Sequence, residues 1–157
     1  MNTKNDHSTQ IIQGVTITNL TEFSDNRGSV LQMIRNDDPK FLSFGECYFS
    51  EINPGAIKAW KFHHKQTQIF AVPIGRIELV IFDDREDSAS RGAIQIIDMG
   101  RPDAYKRVII PPKLWYGFCC KSKVSALLVN CPDMPHNPEE SLVRLEDDML
   151  IPFKWKN

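Results

Sequence analysis

From Ile11 to Asn130 the chain almost nowhere places apolar residues at helical spacing. It falls instead into short β-rich runs punctuated by turn signals about every ten residues. Ten such runs are legible: Val15–Leu20, Ser29–Arg35, Glu46–Ile52, Ile57–His63, Gln68–Pro73, Arg76–Asp83, Ala93–Met99, Tyr105–Ile110, Trp115–Cys120 and Ala126–Cys131. Between them stand Asp25-Asn26-Arg27-Gly28, Asn53-Pro54-Gly55, Gly75, Asp83-Asp84, Arg101-Pro102-Asp103 and Pro111-Pro112, residues that favour turns and end strands. In the run after Gly75, Ile77, Leu79 and Ile81 fall on one face and Glu78, Val80 and Phe82 on the other. The pattern predicts an all-β domain built as a double-sheet barrel. After Asn130 the composition changes to CPDMPHNPEESLVRLEDDMLIPFKW, which predicts a tail wrapping the barrel, with one or two helical turns over 138–145.

The 157 residues suit a single domain, expected over 11–157, with the polar stretch 1–10 frayed. A chain of this length needs no disulfide or metal staple. The 19 basic and 20 acidic side chains leave a net charge of −1, which supplies no field for nucleic acid or an anionic membrane but allows a local basic pocket. No apolar run approaches the roughly 18 residues of a membrane span, and MNTKNDHSTQ is polar where a signal peptide carries an apolar core. A cytoplasmic protein is expected. The four cysteines form no CxxC pair and read as buried hydrophobes in a reducing compartment. No cofactor is expected, because GxGxxG and GxxxxGK[ST] are both absent.

The densest polar cluster is Lys58-Ala59-Trp60-Lys61-Phe62-His63-His64-Lys65. In a strand Lys61 and His63 share one face while Trp60, Phe62 and His64 take the other. Facing a barrel interior, Lys61 and His63 would lower each other's pKa and offer a general base; on an edge strand they would be solvated charges. His63, His64 and His136 invite a metal reading, but adjacent histidines point to opposite faces and no HxH occurs, so no metal site is assigned. Arg27 in its turn is presented for a phosphate or simply for solvent. The aromatic residues of IPPKLWYGF are available to stack on a ring or to pack the core.

In order along the chain, DNRGSV at 25–30, GAIKAWKFHH at 55–64, Gln66–Val72 leading into Gly75, IELVIFDDREDSASRG at 77–92, IPPKLWYGF at 110–118 and EDDMLIPFKW at 146–155 resemble the cupin family of dTDP-4-dehydrorhamnose 3,5-epimerases and related nucleotide-sugar 3,4-ketoisomerases. The resemblance implies a jelly-roll barrel that dimerises by exchanging strands and holds a nucleotide-diphosphate sugar in its mouth. It implies a histidine base that removes the proton beside a C4 carbonyl and a tyrosine that reprotonates the opposite face. By position, Arg27 and Lys58 match diphosphate contacts, Gln68 stands where a lysine lies near the enolate oxygen, and Asp83 and Arg85 match a supporting polar pair. The base histidine of the family aligns with Lys61, its histidine before Gly-Phe with Tyr116, and its acid tyrosine with Val129. The expected activity is an isomerase or epimerase of a 4-keto-6-deoxy sugar with an altered base, Lys61 or His63, and Tyr116 as acid or enolate partner. The alternatives are a non-catalytic nucleotide-sugar-binding cupin and a metal-dependent cupin enzyme.

Overall fold

Strand β7 (Arg76–Phe82) is apolar on both faces for a reason that the rest of the fold supplies. In the computed structural model, which describes residues 10–156, Ile77, Leu79 and Ile81 are fully buried between two sheets. Val80 and Phe82 face the other way and are covered by the C-terminal tail. The segment expected to fray falls, but for Gln10, outside the described residues.

Twelve strands are present among the described residues. The first sheet takes β1 (Thr16–Asn19), β9 (Lys106–Ile110), β6 (Gln68–Ile74), β11 (Ala126–Asn130) and β4 (Tyr48–Ile52) in that spatial order. The second takes β12 (Ser141–Val143), β5 (Ile57–His63), β10 (Trp115–Cys120), β7 and β8 (Ile94–Gly100). A separate hairpin joins β2 (Glu22–Asp25) to β3 (Gly28–Leu31). Pairing is antiparallel throughout, and the order in each sheet is that of a cupin jelly roll, as expected from the sequence.

The core between the sheets draws Ile52, Phe70, Val72, Val108 and Leu128 from the first and Ile77, Leu79, Ile81 and Phe118 from the second. Each such side chain contributes about 1.5–3 kcal/mol by leaving water, as an upper estimate. A second cluster lies on the outer face of the second sheet, where Ile151, Phe153 and Trp155 cover Trp60 and Trp115. The Trp155 ring packs 5.1 Å from that of Trp60, and Trp60 Nε1 donates to the Glu146 carbonyl at 3.2 Å. Gly117 is what lets the tail lie this close. A Cβ there would stand 2.5 Å from that of Ala59 and 3.0 Å from Trp155 Cζ2.

The tail departs from the helical expectation. Only Pro138–Glu140 turns, as a 3-10 helix capped by the Asn137 side chain. Ser141–Val143 then extends along β5, pairing Ser141 with His63 and Val143 with Lys61. Strand β2 was not anticipated either, since Phe23 is the one large apolar residue in its four.

Candidate active site

Strand β5 pairs with β10 so that Tyr116 lies opposite Lys61 and Trp115 opposite Phe62. Alternation sends Trp60 and Phe62 to the outer cluster and Lys61 and His63 inward, as their spacing predicts, while His64 is exposed. The register shifts between Tyr116 and Phe118, so that Phe118 faces Lys58 and β5 carries one residue more than β10 over this stretch. Lys58 and Lys61, three apart, therefore line one cavity.

That cavity, about 370 Å³, lies between the sheets. Lys58, Lys61 and Tyr116 line it from the second sheet; Tyr48, Ser50 and Phe70 face them from the first. Val143 of the tail strand completes the wall. Among the described residues no carboxylate lines the cavity, so two cationic side chains set its sign and suit it to an anionic ligand. Lys58 Nζ is steadied by Ser50 Oγ at 2.9 Å and the Glu51 carbonyl at 2.7 Å.

Behind Tyr116 stands a relay. Glu140, brought in by the 3-10 turn, places Oε2 2.6 Å from His63 Nδ1. Its other oxygen accepts from the amides of Lys65 and Gln66. A carboxylate only accepts, so Nδ1 carries the ring proton and Nε2 presents its lone pair to the Tyr116 hydroxyl, 3.2 Å away. Burial pushes the His63 pKa down, outweighing the opposite pull of Glu140, so the ring is neutral at pH 7. For Glu140 burial works to raise the pKa, but the two amides and His63 outweigh it and hold the carboxyl below its usual range. Burial drives the Tyr116 hydroxyl well above its ordinary value. A free phenolate is thus disfavoured, and a proton reaching Tyr116 from the cavity passes on to His63 as the hydroxyl gives up its own.

Other expected site residues lie elsewhere. Arg27 is at the tip of the β2–β3 hairpin, its side chain 85% exposed and paired with Asp25, and does not line this cavity. Gln68 is buried, accepts from Asn130 Nδ2 at 2.7 Å and donates to Gln66 Oε1 at 2.8 Å. It does not line this cavity. Asp83 and Arg85 are joined at 2.9 Å and, with Ser88 and Ser90, tie down the loop after β7. Arg85 borders a different cavity, together with Asp84, Glu86 and Asp87, whose charge opposes a diphosphate. Two residues that sequence reasoning missed, Glu140 and Tyr48, belong to the site. Nothing local marks Glu140, one of several acidic residues in the tail, 77 positions from its partner. Among the described residues no three His, Cys, Asp or Glu side chains converge as metal ligands.

A family profile described as dTDP-4-dehydrorhamnose 3,5-epimerase matches residues 9–157. The chain belongs to that family. Among similar proteins, the spore coat polysaccharide biosynthesis protein SpsL of Bacillus subtilis is 31% identical over 147 residues, covering 92% of this chain and 97% of that protein. The probable low-salt glycan biosynthesis epimerase Agl13 of Haloferax volcanii is 33% identical over 145 residues, 90% of this chain and 88% of its own length. The crystal structure of a dTDP sugar isomerase from Desulfovibrio desulfuricans superposes with a TM-score of 0.90 at 44% identity, covering 92% of each chain. In this chain Lys61 and His63 stand two residues apart on one face of β5.

Proposed function

We propose that this protein is an epimerase or isomerase of a nucleotide-diphosphate 4-keto-6-deoxy sugar, drawing a proton from the carbon beside the carbonyl and returning one to the enolate. The observation that carries this reading is the Tyr116–His63–Glu140 relay opening into a cavity lined by Lys58 and Lys61. Tyr116 is the group in contact with the sugar: its oxygen takes the α-proton while its own proton moves to His63 Nε2. The imidazolium so formed is neutralised by Glu140. Lys61 supplies positive charge to the developing enolate oxygen, and Lys58 supplies it to the diphosphate. His63 is thereby favoured over Lys61 as the final proton acceptor, and Tyr116 acts on the removal step.

Two further assignments go with this function. The four cysteines are free thiols and the substrate is an activated sugar of intracellular metabolism, which supports a cytoplasmic location. A homodimer is supported by the β2–β3 hairpin, whose Phe23 and Val30 are 60% and 68% exposed. It carries Arg27 away from its own cavity, so Arg27 serves the diphosphate only if a second copy receives the hairpin.

Proton NMR with dTDP-4-keto-6-deoxyglucose in deuterated buffer tests the reading. Wash-out of the C3 or C5 proton by the wild type, lost in Tyr116→Phe and His63→Ala and slowed but still detectable in Lys61→Met, is the expected result. Binding without exchange would replace the enzyme with a nucleotide-sugar-binding cupin.

A further inference from the structure

The wall facing the relay contains a second tyrosine, and the hydrogen bonds behind it fix which way its proton points. The chain of bonds is readable from its far end. Gln66 Nε2 donates to the Met134 carbonyl at 2.7 Å, so Gln66 Oε1 is left to accept, and it accepts from Gln68 Nε2 at 2.8 Å. Gln68 Oε1 then accepts from Asn130 Nδ2 at 2.7 Å. The Asn130 amide is oriented independently, because the Ile69 backbone N–H at 3.1 Å needs an oxygen and finds Asn130 Oδ1. Both hydrogens of Asn130 Nδ2 are thus directed, one to Gln68 and one to the Tyr48 oxygen at 2.8 Å. Every amide in the row has one possible sense. Tyr48 therefore accepts from behind, and its own O–H is free to donate elsewhere.

Tyr48 lines the cavity from β4, in the first sheet, whereas Lys61 and Tyr116 line it from the second. A planar enolate held between the sheets has one face toward each. Proton removal by the relay on one side leaves the carbon open to protonation from the other, and delivery there inverts the centre.

We propose that Tyr48 is the catalytic acid of this enzyme, donating its hydroxyl proton to the enolate carbon on the face opposite Tyr116, with Asn130 as its positioning residue. The assignment rests on the reading that an enolate of a 4-keto sugar forms in this cavity. The step balances: the C–H electron pair becomes the enolate, the carbon regains a proton from Tyr48, and the resulting phenolate is held by the Asn130 N–H until water reprotonates it. The His63 imidazolium returns its proton through Tyr116 to solvent. Asn130 lies in β11, and β4 pairs with that strand residue for residue from Ala126↔Ile52 to Asn130↔Tyr48, which sets Tyr48 directly beside Asn130. The phenol is thus supplied by the neighbouring strand.

The experiment separates proton exchange from inversion. Wild type, Tyr48→Phe and Asn130→Asp are each incubated with dTDP-4-keto-6-deoxyglucose in deuterated buffer, and proton NMR follows both loss of the α-proton and appearance of the inverted sugar. For Tyr48→Phe the expected result is exchange within about threefold of wild type with inversion reduced at least about 100-fold, because the relay still removes and returns a proton on its own face. Asn130→Asp presents only acceptors to Tyr48, which draws the hydroxyl proton away from the cavity, so it too should exchange without inverting. Retained exchange shows in each case that the fold and the relay are intact. Inversion by Tyr48→Phe at the wild-type rate overturns the proposal, and so does loss of exchange and inversion together in a variant whose melting curve is unchanged. Wild type that exchanges nothing overturns the proposed function, and the role of Tyr48 with it.

Discussion

His63 Nδ1 meets Glu140 Oε2 at 2.6 Å across 77 residues of sequence, and this one contact ties the C-terminal tail to the chemistry of the barrel. Glu140 acts through the imidazole, so its loss should show in a pH profile. Burial keeps the His63 pKa below its ordinary 6.5 and Glu140 partly restores it. The acid limb of proton exchange should therefore lie below pH 6.5. Glu140→Gln removes the charge that favours the imidazolium, moving that limb further down while the plateau rate falls by about 10²–10³. Exchange rates measured from about pH 4.5 to 8 read both effects. A plateau that falls with the limb unmoved would mean that Glu140 only holds the tail in place.

Acid stability should depend on Asp83. It is fully buried and accepts from Arg85 Nε and Nη2, both at 2.9 Å, and from Ser88 and Ser90 Oγ, both at 2.6 Å. Burial works to raise its pKa, and these donors outweigh burial and hold the carboxyl well below the usual range. The folded value lies under the unfolded one of about 3.9. Its contribution is therefore complete above that pH and is lost as the pH falls through it toward the folded value. Urea unfolding should show a steep loss of stability below about pH 4 in the wild type and a shallower one in Asp83→Asn. At pH 7, Asp83→Ala should cost about 3 kcal/mol by stranding Arg85.

How far the sequence was legible follows from how local each signal is. β5 and β10 were read to the residue because alternation and flanking turns are written within them. The shared face of Lys61 and His63 followed from the same alternation. β12 was not legible, since Ser141–Val143 has no pattern of its own and extends only because β5 offers an open edge. Gln68 matched an enolate contact by resemblance, and only the fold shows its amide bonded to Asn130 and Gln66. Glu140 and Tyr48 escaped for the same reason: each becomes functional by a contact with a residue more than seventy positions away.

The position of Arg27 yields a prediction about assembly. The guanidinium is solvated at the hairpin tip, with Asp25 as its ion-pair partner, and an apolar flank beside it is exposed. Light scattering on the purified protein should give the mass of two chains, about 36 kDa against 18.0 kDa for one. In that dimer Arg27→Ala should weaken dTDP binding by about 10- to 100-fold, the worth of a charge-assisted hydrogen bond, and leave the melting temperature unchanged. A monomer whose nucleotide affinity ignores Arg27 would remove this residue from the site.

An exposed thiol, Cys47, immediately precedes the strand that carries Tyr48, and its neighbour decides how it reacts. Cys47 Sγ lies 3.2 Å from Cys131 Sγ, close enough for attack once either sulfur is activated. Burial, with Cys47 adding to it, pushes the Cys131 thiol up to about 12, so that at pH 8 it stays protonated. Cys119 and Cys120 are 5% and 3% exposed. An aromatic disulfide reagent at pH 8 should therefore release one equivalent of chromophore from the native protein, from Cys47, and four after unfolding in guanidinium. The mixed disulfide on Cys47 should persist, because the thiol beside it is protonated and cannot displace the second chromophore. Rapid release of two equivalents, with a new Cys47–Cys131 disulfide found by mass spectrometry, would show that the thiol of Cys131 is far more acidic than its buried setting implies.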